Sequence, residues 1–209
     1  MTLKTTRADK PKRRRKSAEE TRRQLLTVAA DELVRTGGAL EMAELAKRAG
    51  LSEGLAYHYF GNRAGVIAAV VDAYFDRYED AVIDLNFEGA TWQEREQKRV
   101  IELVRFYCDE PLTPVIFSRL GSETEVMTVE TRRSERIIDL AAANISRAQE
   151  AGDIPRTRDP RILGAMMMGA IRWAIVAVWP SDGNLPSKDE LVTEIWAGIE
   201  ALSHARSKR

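Results

Sequence analysis

The side chains best able to do chemistry lie close together between Ser52 and Arg63, in the run Ser-Glu-Gly-Leu-Ala-Tyr-His-Tyr-Phe-Gly-Asn-Arg. Hydroxyls, an imidazole and a guanidinium at this density suit hydrogen bonding to phosphate and to base edges. They do not suit catalysis. The chain has only two histidines, His58 and His204, and one cysteine, Cys108, so no paired-histidine metal site and no conventional structural zinc site is expected. It also lacks a glycine-rich phosphate loop and a Gly-x-Ser-x-Gly nucleophile elbow. The chain is read as a non-enzyme with no catalytic residue, no metal and no cofactor. Two rival readings stay open: a pocket of catalytic carboxylates in the second half, and an architectural DNA-binding protein without an effector.

Charge points the same way. Of 209 residues, 32 are Lys or Arg and 32 are Asp or Glu, but up to residue 65 the chain carries 14 basic and 8 acidic side chains, leaving the remainder negative. A positive end on a negative body presents one end to a polyanion and keeps the other away from it. One cysteine allows no internal disulfide, so a reducing cytoplasm is expected. The basic N-terminus is followed by no apolar stretch, so no secretory signal is read there. The longest apolar run, Leu163 to Trp179, contains Arg172 and falls short of the roughly 20 residues of a spanning helix, and a soluble protein with no membrane partner is expected.

These residues must be positioned by helices. Apolar residues recur at three and four between clusters of proline and glycine, which predicts an all-α chain of about nine helices. Residues 1 to 16 read as a disordered basic arm, in which Lys12, Arg13, Arg14, Arg15 and Lys16 follow the minor groove or simply add charge. The first helix begins at Ser17, where Ser17 and Glu20 form a capping-box pattern, and stops at Gly37-Gly38. Helices follow at Met42 to Ala49, Ser52 to Phe60, Ala64 to Leu85, and then at 92–108, 113–120, 123–151, 160–179 and 188–205.

Within Leu45-Ala46-Lys47-Arg48-Ala49-Gly50-Leu51-Ser52, Ala46 supplies the small side chain where two helices cross, and Gly50 the residue tolerant of positive φ in the turn. Leu45, Ala49, Leu51 and Ala56 face inward, and Ser52 is expected to cap the second helix with its hydroxyl. That second helix carries aromatic and polar groups in place of an apolar stripe. Either Tyr57, His58 and Tyr59 meet DNA, or the pair is an ordinary helical hairpin with its aromatics in the core; Phe60 is read as core.

The segment Met42 to Val66, above all Ala46 to Arg63, resembles the signature of the TetR family of bacterial regulators. The resemblance implies a helix-turn-helix DNA-binding domain over 17–63, an effector-binding and dimerisation domain over 64–209, and a repressor that binds a palindromic operator as a homodimer until a small-molecule effector releases it. Repression is the family default, and activation would use the same parts. It implies that Tyr57 and Tyr59 contact backbone phosphate or sugar, that Arg63 binds a phosphate, that Ser52 anchors the helix, and that Glu53, Gly54, Leu55 and His58 face the groove. Three positions depart from the usual pattern: Arg63 in place of lysine, Ala56 in place of leucine, and Glu41 in place of threonine, where a carboxylate would repel phosphate.

In the second half, the run Leu163 to Trp179 and the stripe Leu191, Val192, Ile195, Trp196, Ile199 and Leu202 exceed what a chain of this size can cover alone, so the last two helices are expected to pair with their copies. Arg172, inside the apolar run, requires a partner, either a carboxylate or an acidic group on the effector. Phe106, Phe117, Met127, Met166, Arg172 and Trp173 are the expected effector pocket, among further apolar material at Tyr107, Met167 and Met168.

Overall fold

The computed structural model describes residues 17–121, 123–178 and 186–204. The expected arm at 1–16, the end of the apolar run at Trp179 and the last expected helical residue, 205, lie outside them. All regular structure among the described residues is helical: α1 (Ala18–Thr36), α2 (Met42–Ala49), α3 (Glu53–Phe60), α4 (Arg63–Tyr78), α5 (Trp92–Asp109), α6 (Leu112–Val115), α7 (Thr124–Ala151), α8 (Pro160–Ala177) and α9 (Lys188–His204). The helix expected to run to Leu85 instead changes to a π-helical turn over Glu79–Ile83. The helix expected over 113–120 is likewise a single α turn, with Pro114 early enough that its missing N–H costs nothing, followed by π turns over Ile116–Leu120.

The ends of the helices follow from their capping residues. Ser17 Oγ accepts from the Glu20 amide at 3.1 Å while Glu20 Oε2 accepts from the Ser17 amide at 2.7 Å, the reciprocal box expected there. Asn62 Oδ1 accepts from the Gly65 amide at 2.8 Å and so starts α4. Gly50 has φ +65° and joins α2 to α3.

The tightest corner is the one between α3 and α4. A β-carbon on Gly65 would sit 2.0 Å from the Phe60 carbonyl oxygen, so no side chain fits without moving one helix off the other. Gly65→Ala is expected to destabilise the chain by about 3 kcal/mol or more, the scale of severe overpacking. Thermal or urea unfolding followed by circular dichroism measures this, and an unchanged midpoint would show that the corner yields freely.

Helix α1 braces the pair α2 and α3. Leu25, Ala29 and Leu33 on α1 join Leu45, Ala49 and Ala56 in one fully buried cluster, continuous through Val66, Ile67, Val70 and Val71 of α4 with the core of the larger body. Polar ties supplement it: Gln24 Nε2 donates to the Ala49 carbonyl at 2.7 Å, closing the end of α2, and buried Glu32 accepts from Arg35 at 2.6 Å and Arg48 at 2.5 Å. The Arg35 hydrogen bond, with the charge of both guanidiniums, holds the Glu32 carboxyl below its ordinary 4.5 despite burial.

In the body, α7 packs on α8 and α4, while α9 packs on α5 and α8. Arg133 of α7 donates to Asp72 at 2.6 Å, Asp76 at 2.5 Å and buried Glu79 at 2.9 Å, fastening α7 along the acidic edge of α4 and the π turn that follows it. Among the described residues, one helix, Pro160–Ala177, is long and apolar enough by composition to cross a membrane. Here it packs between α7 and α9, burying Leu163, Met167, Ile171 and Ile175.

Candidate nucleic-acid interface and effector chambers

Helix α3 owes its orientation to what it buries. Ala56 is fully buried, and Leu51, Tyr59 and Phe60 pack partly on the core; the Arg22 guanidinium covers the Phe60 ring at 5.5 Å. Ser52, Glu53, Gly54, Tyr57 and His58 are consequently exposed together, Tyr57 at 44%, with Leu55 half-buried beside them. The aromatic-core alternative therefore holds for Phe60 and in part for Tyr59. It does not hold for Tyr57 or His58.

One expectation about this face needs revision, at Ser52, and Arg63 at its flank has partners within the chain. Ser52 has the extended backbone of a cap, but its hydroxyl accepts no capping hydrogen bond, because the Leu55 amide it would receive donates instead to the Ser52 carbonyl at 3.0 Å. The hydroxyl is left on the surface at the positive end of α3. Arg63, expected on a phosphate, is engaged within the chain: Nε donates to the Leu40 carbonyl at 3.1 Å, and Nη1 and Nη2 donate to Glu123 at 3.2–3.3 Å. Glu123 is the residue immediately before α7. A guanidinium at this position takes the nearest bidentate acceptor, and without a phosphate that acceptor is Glu123.

The body contains two adjoining chambers. One, of about 200 Å³, is lined by Phe75, Tyr78, Tyr107, Phe117, Ser134 and Arg172 among others. The other, of about 190 Å³, is walled mainly by apolar side chains of α5, α7 and α8, with Trp92, Glu96, Arg99 and Asn144 among its polar residues. They share Tyr78, Ile137 and Met168. Together they reach the lower part of the roughly 300–1,000 Å³ usual for ligand pockets.

Of the six residues expected to form an effector pocket, only Phe117 and Arg172 line these chambers. Met127, Met166 and Trp173 are 53%, 41% and 68% exposed on the surface of the chain, and Phe106 packs edge-on against Tyr74 and Tyr78 without reaching a chamber. On α8 the inward positions are Met167, Met168 and Ile171, one step round the helix from Met166 and Trp173. An all-apolar helix gives no periodicity to tell the two faces apart. The residues not foreseen include Tyr78, Ser134 and Ile137; the spacing of Tyr74 and Tyr78 on one face of α4 was a usable signal for the first.

Arg172 has the carboxylate partner. Its Nη2 donates to both oxygens of Glu130 at 3.2 and 3.3 Å, and its guanidinium lies over the Phe117 ring at 4.7 Å. Burial pushes the Cys108 thiol up, which keeps it from being a reactive thiolate.

A three-helix head in which α2 and α3 are joined by the left-handed turn at Gly50, with hydroxyls and an imidazole exposed on its last helix, has the form of a helix-turn-helix set on a larger helical body. Residues 25–70, the head and the start of α4, match the model of the bacterial regulatory proteins of the tetR family. No curated protein matches the chain in sequence. Solved structures match its fold. The fatty acid degradation regulator FadR from Bacillus halodurans superposes with a TM-score of 0.74 at 18% identity, over 94% of this chain and 100% of that one. A transcriptional regulator of the TetR/AcrR family from Thermobifida fusca gives 0.64 at 22% identity, over 90% and 100%. AibR, solved in complex with isovaleryl coenzyme A and operator DNA, gives 0.57 at 16% identity, over 86% and 97%.

Proposed function

We propose that this chain is a DNA-binding transcriptional regulator of the tetR family, a homodimeric repressor that grips a palindromic operator through α3 and lets go when a small molecule fills the chambers of its body. The observation that carries the DNA part is the exposed face of Ser52, Glu53, Gly54, Tyr57 and His58 on the last helix of the helix-turn-helix. Tyr57, with Tyr59 and Arg63 at its flank, holds the phosphate backbone; Glu53, Leu55 and His58 face base edges. The division falls at about residue 63, with α1–α3 as the DNA-binding head and α4 onwards as the effector-binding and dimerising body. That AibR was solved with both an acyl coenzyme A and operator DNA supports a regulator of this shape serving both partners.

The dimer is proposed through α8 and α9. Ile162, Met166, Ala170, Trp173 and Ala177 form one exposed stripe along α8, next to a groove of small residues, Ala174, Gly198 and their neighbours, between α8 and α9. The buried stripe of α9, Leu191, Ile195 and Ile199, is already covered within the chain, so α8 supplies most of the apolar contact.

Coupling runs through α7. Glu123 competes with phosphate for Arg63, and Glu130, two turns further along and about 10 Å away on helix geometry, holds Arg172 at the wall of a chamber. A ligand that shifts α7 so that Glu123 holds Arg63 more firmly withdraws one phosphate contact from each protomer. Glu123→Gln is expected to raise affinity for a duplex enriched from a random pool by up to about fivefold, the worth of a partly exposed ion pair. Fluorescence anisotropy measures it. Unchanged or weaker binding would show that Glu123 and phosphate do not compete for Arg63.

A further inference from the structure

The chamber that Arg172 lines is selective in its chemistry. Its polar lining residues are Tyr78, Tyr107, Ser134 and Arg172, and it has no carboxylate or amide side chain in its wall. Every one of these groups donates hydrogen bonds, and Arg172 does nothing else. Burial pushes the Tyr107 hydroxyl up to about 12 and that of Tyr78 well above its ordinary value, so both keep their protons. The two rings stack at 5.5 Å and their hydroxyls interact, but the contact falls short of full hydrogen-bond geometry and leaves the fully buried Tyr78 hydroxyl under-satisfied. Buried polar atoms in a native interior are nearly always fully partnered.

Arg172 is incompletely used as well. Only Nη2 is engaged, and its contacts of 3.2 and 3.3 Å to Glu130 exceed the roughly 2.7–2.9 Å of a strong charge-assisted hydrogen bond. Nε and Nη1 donate to no described residue. Glu130 is the acid that faces this guanidinium, and it stands as a resident counter-ion that an incoming anion can displace. Beyond Tyr78, Ile137 and Met168 the space continues into the second chamber, where Val100, Leu103 and Ile145 offer an apolar wall.

We propose that the effector is a small organic carboxylate, its charge taken by Arg172 in exchange for Glu130 and its apolar body passing Ile137 and Met168 into the second chamber. This rests on the effector-binding reading above and adds the chemical class to it. Phe117 stacks on the guanidinium and keeps its plane fixed while the acceptor changes. Freeing Glu130 also frees α7 at the point two turns from Glu123, which links the exchange to Arg63.

Isothermal titration of the full chain with hexanoate, octanoate and decanoate, against 1-octanol and octylamine, tests the proposal. At least one carboxylate should bind at least about tenfold more tightly than the matched alcohol or amine, a factor of the size expected for one charged hydrogen bond. Arg172→Gln should erase that preference, and Glu130→Gln, which removes the competitor, should strengthen carboxylate binding. Should Arg172→Gln fail to fold, the Glu130→Gln result decides. Equal binding of 1-octanol and octanoate, no binding by any carboxylate, or weaker carboxylate binding in Glu130→Gln would overturn the assignment. Release of a duplex by the same compounds is read separately. If 1-octanol binds and releases DNA, the carboxylate class fails and the effector reading stands; if octanoate binds through Arg172 and DNA affinity is unmoved, the site stands and the effector reading fails.

Discussion

Replacing Tyr57 and Arg63 together by alanine is expected to lower affinity for an enriched duplex by about 100-fold or more while leaving the fold intact. Each protomer loses a phosphate contact to a charged group, worth about 1.5–3 kcal/mol, and a dimer loses it twice. The loss has a second signature. Neutralising two phosphates fewer should flatten the dependence of log affinity on log salt by about 1.8, from the slope of roughly 0.9 per phosphate. Tyr57 is exposed and Arg63 half-exposed, so neither truncation opens a hole in the core. Anisotropy titrations at several salt concentrations measure both quantities. Unchanged affinity would remove α3 and the start of α4 from the interface, and lost affinity with an unchanged salt slope would mean that Arg63 stays on Glu123 when DNA is bound.

Ile162→Glu combined with Trp173→Glu is expected to leave a folded monomer of 23.5 kDa that no longer binds a two-half-site duplex. These are among the most exposed large apolar side chains, at 63% and 68%, so a carboxylate at either is harmless in the isolated chain. In a two-fold interface each substitution occurs twice, and an uncompensated buried charge costs several kcal/mol. Dimerisation should weaken by about a thousandfold or more, and DNA affinity should fall with it because half-sites are gripped in pairs. Sedimentation velocity gives the mass, and circular dichroism checks that helicity is kept. A variant that remains dimeric would move the interface away from the α8 stripe.

The head of the molecule was more legible than its body, for a physical reason. Helix caps and turns depend on local chemistry, so Ser17 with Glu20 and the positive φ of Gly50 could be read from residue type alone. Ser52 shows the limit of that logic. Residue type predicts a capping hydroxyl, but the tight first turn of α3 hands the amide to the carbonyl. Gly65 was silent because its necessity comes from the Phe60 carbonyl of a different helix, which only the packed corner reveals. In the body, Arg172 advertised itself, since a charge in an apolar helix demands a partner, and Glu130 supplies it. Met166 and Met167 are adjacent and chemically the same, yet one faces outward and the other a chamber. Where a helix is apolar on every side, composition says how much is buried but not against what. The pairing of Arg63 with Glu123 joins residues 60 apart in sequence, beyond any local pattern.

Whether α3 and Arg63 read an operator is decided by selection of duplexes from a random pool by the full chain, repeated with the Tyr57→Ala, Arg63→Ala variant. The full chain should enrich a palindrome whose half-sites are centred about one helical turn, roughly 34 Å, or a small multiple of it apart, and the variant should enrich none. Binding of the pool without sequence preference, or the same palindrome enriched by both proteins, would contradict that assignment.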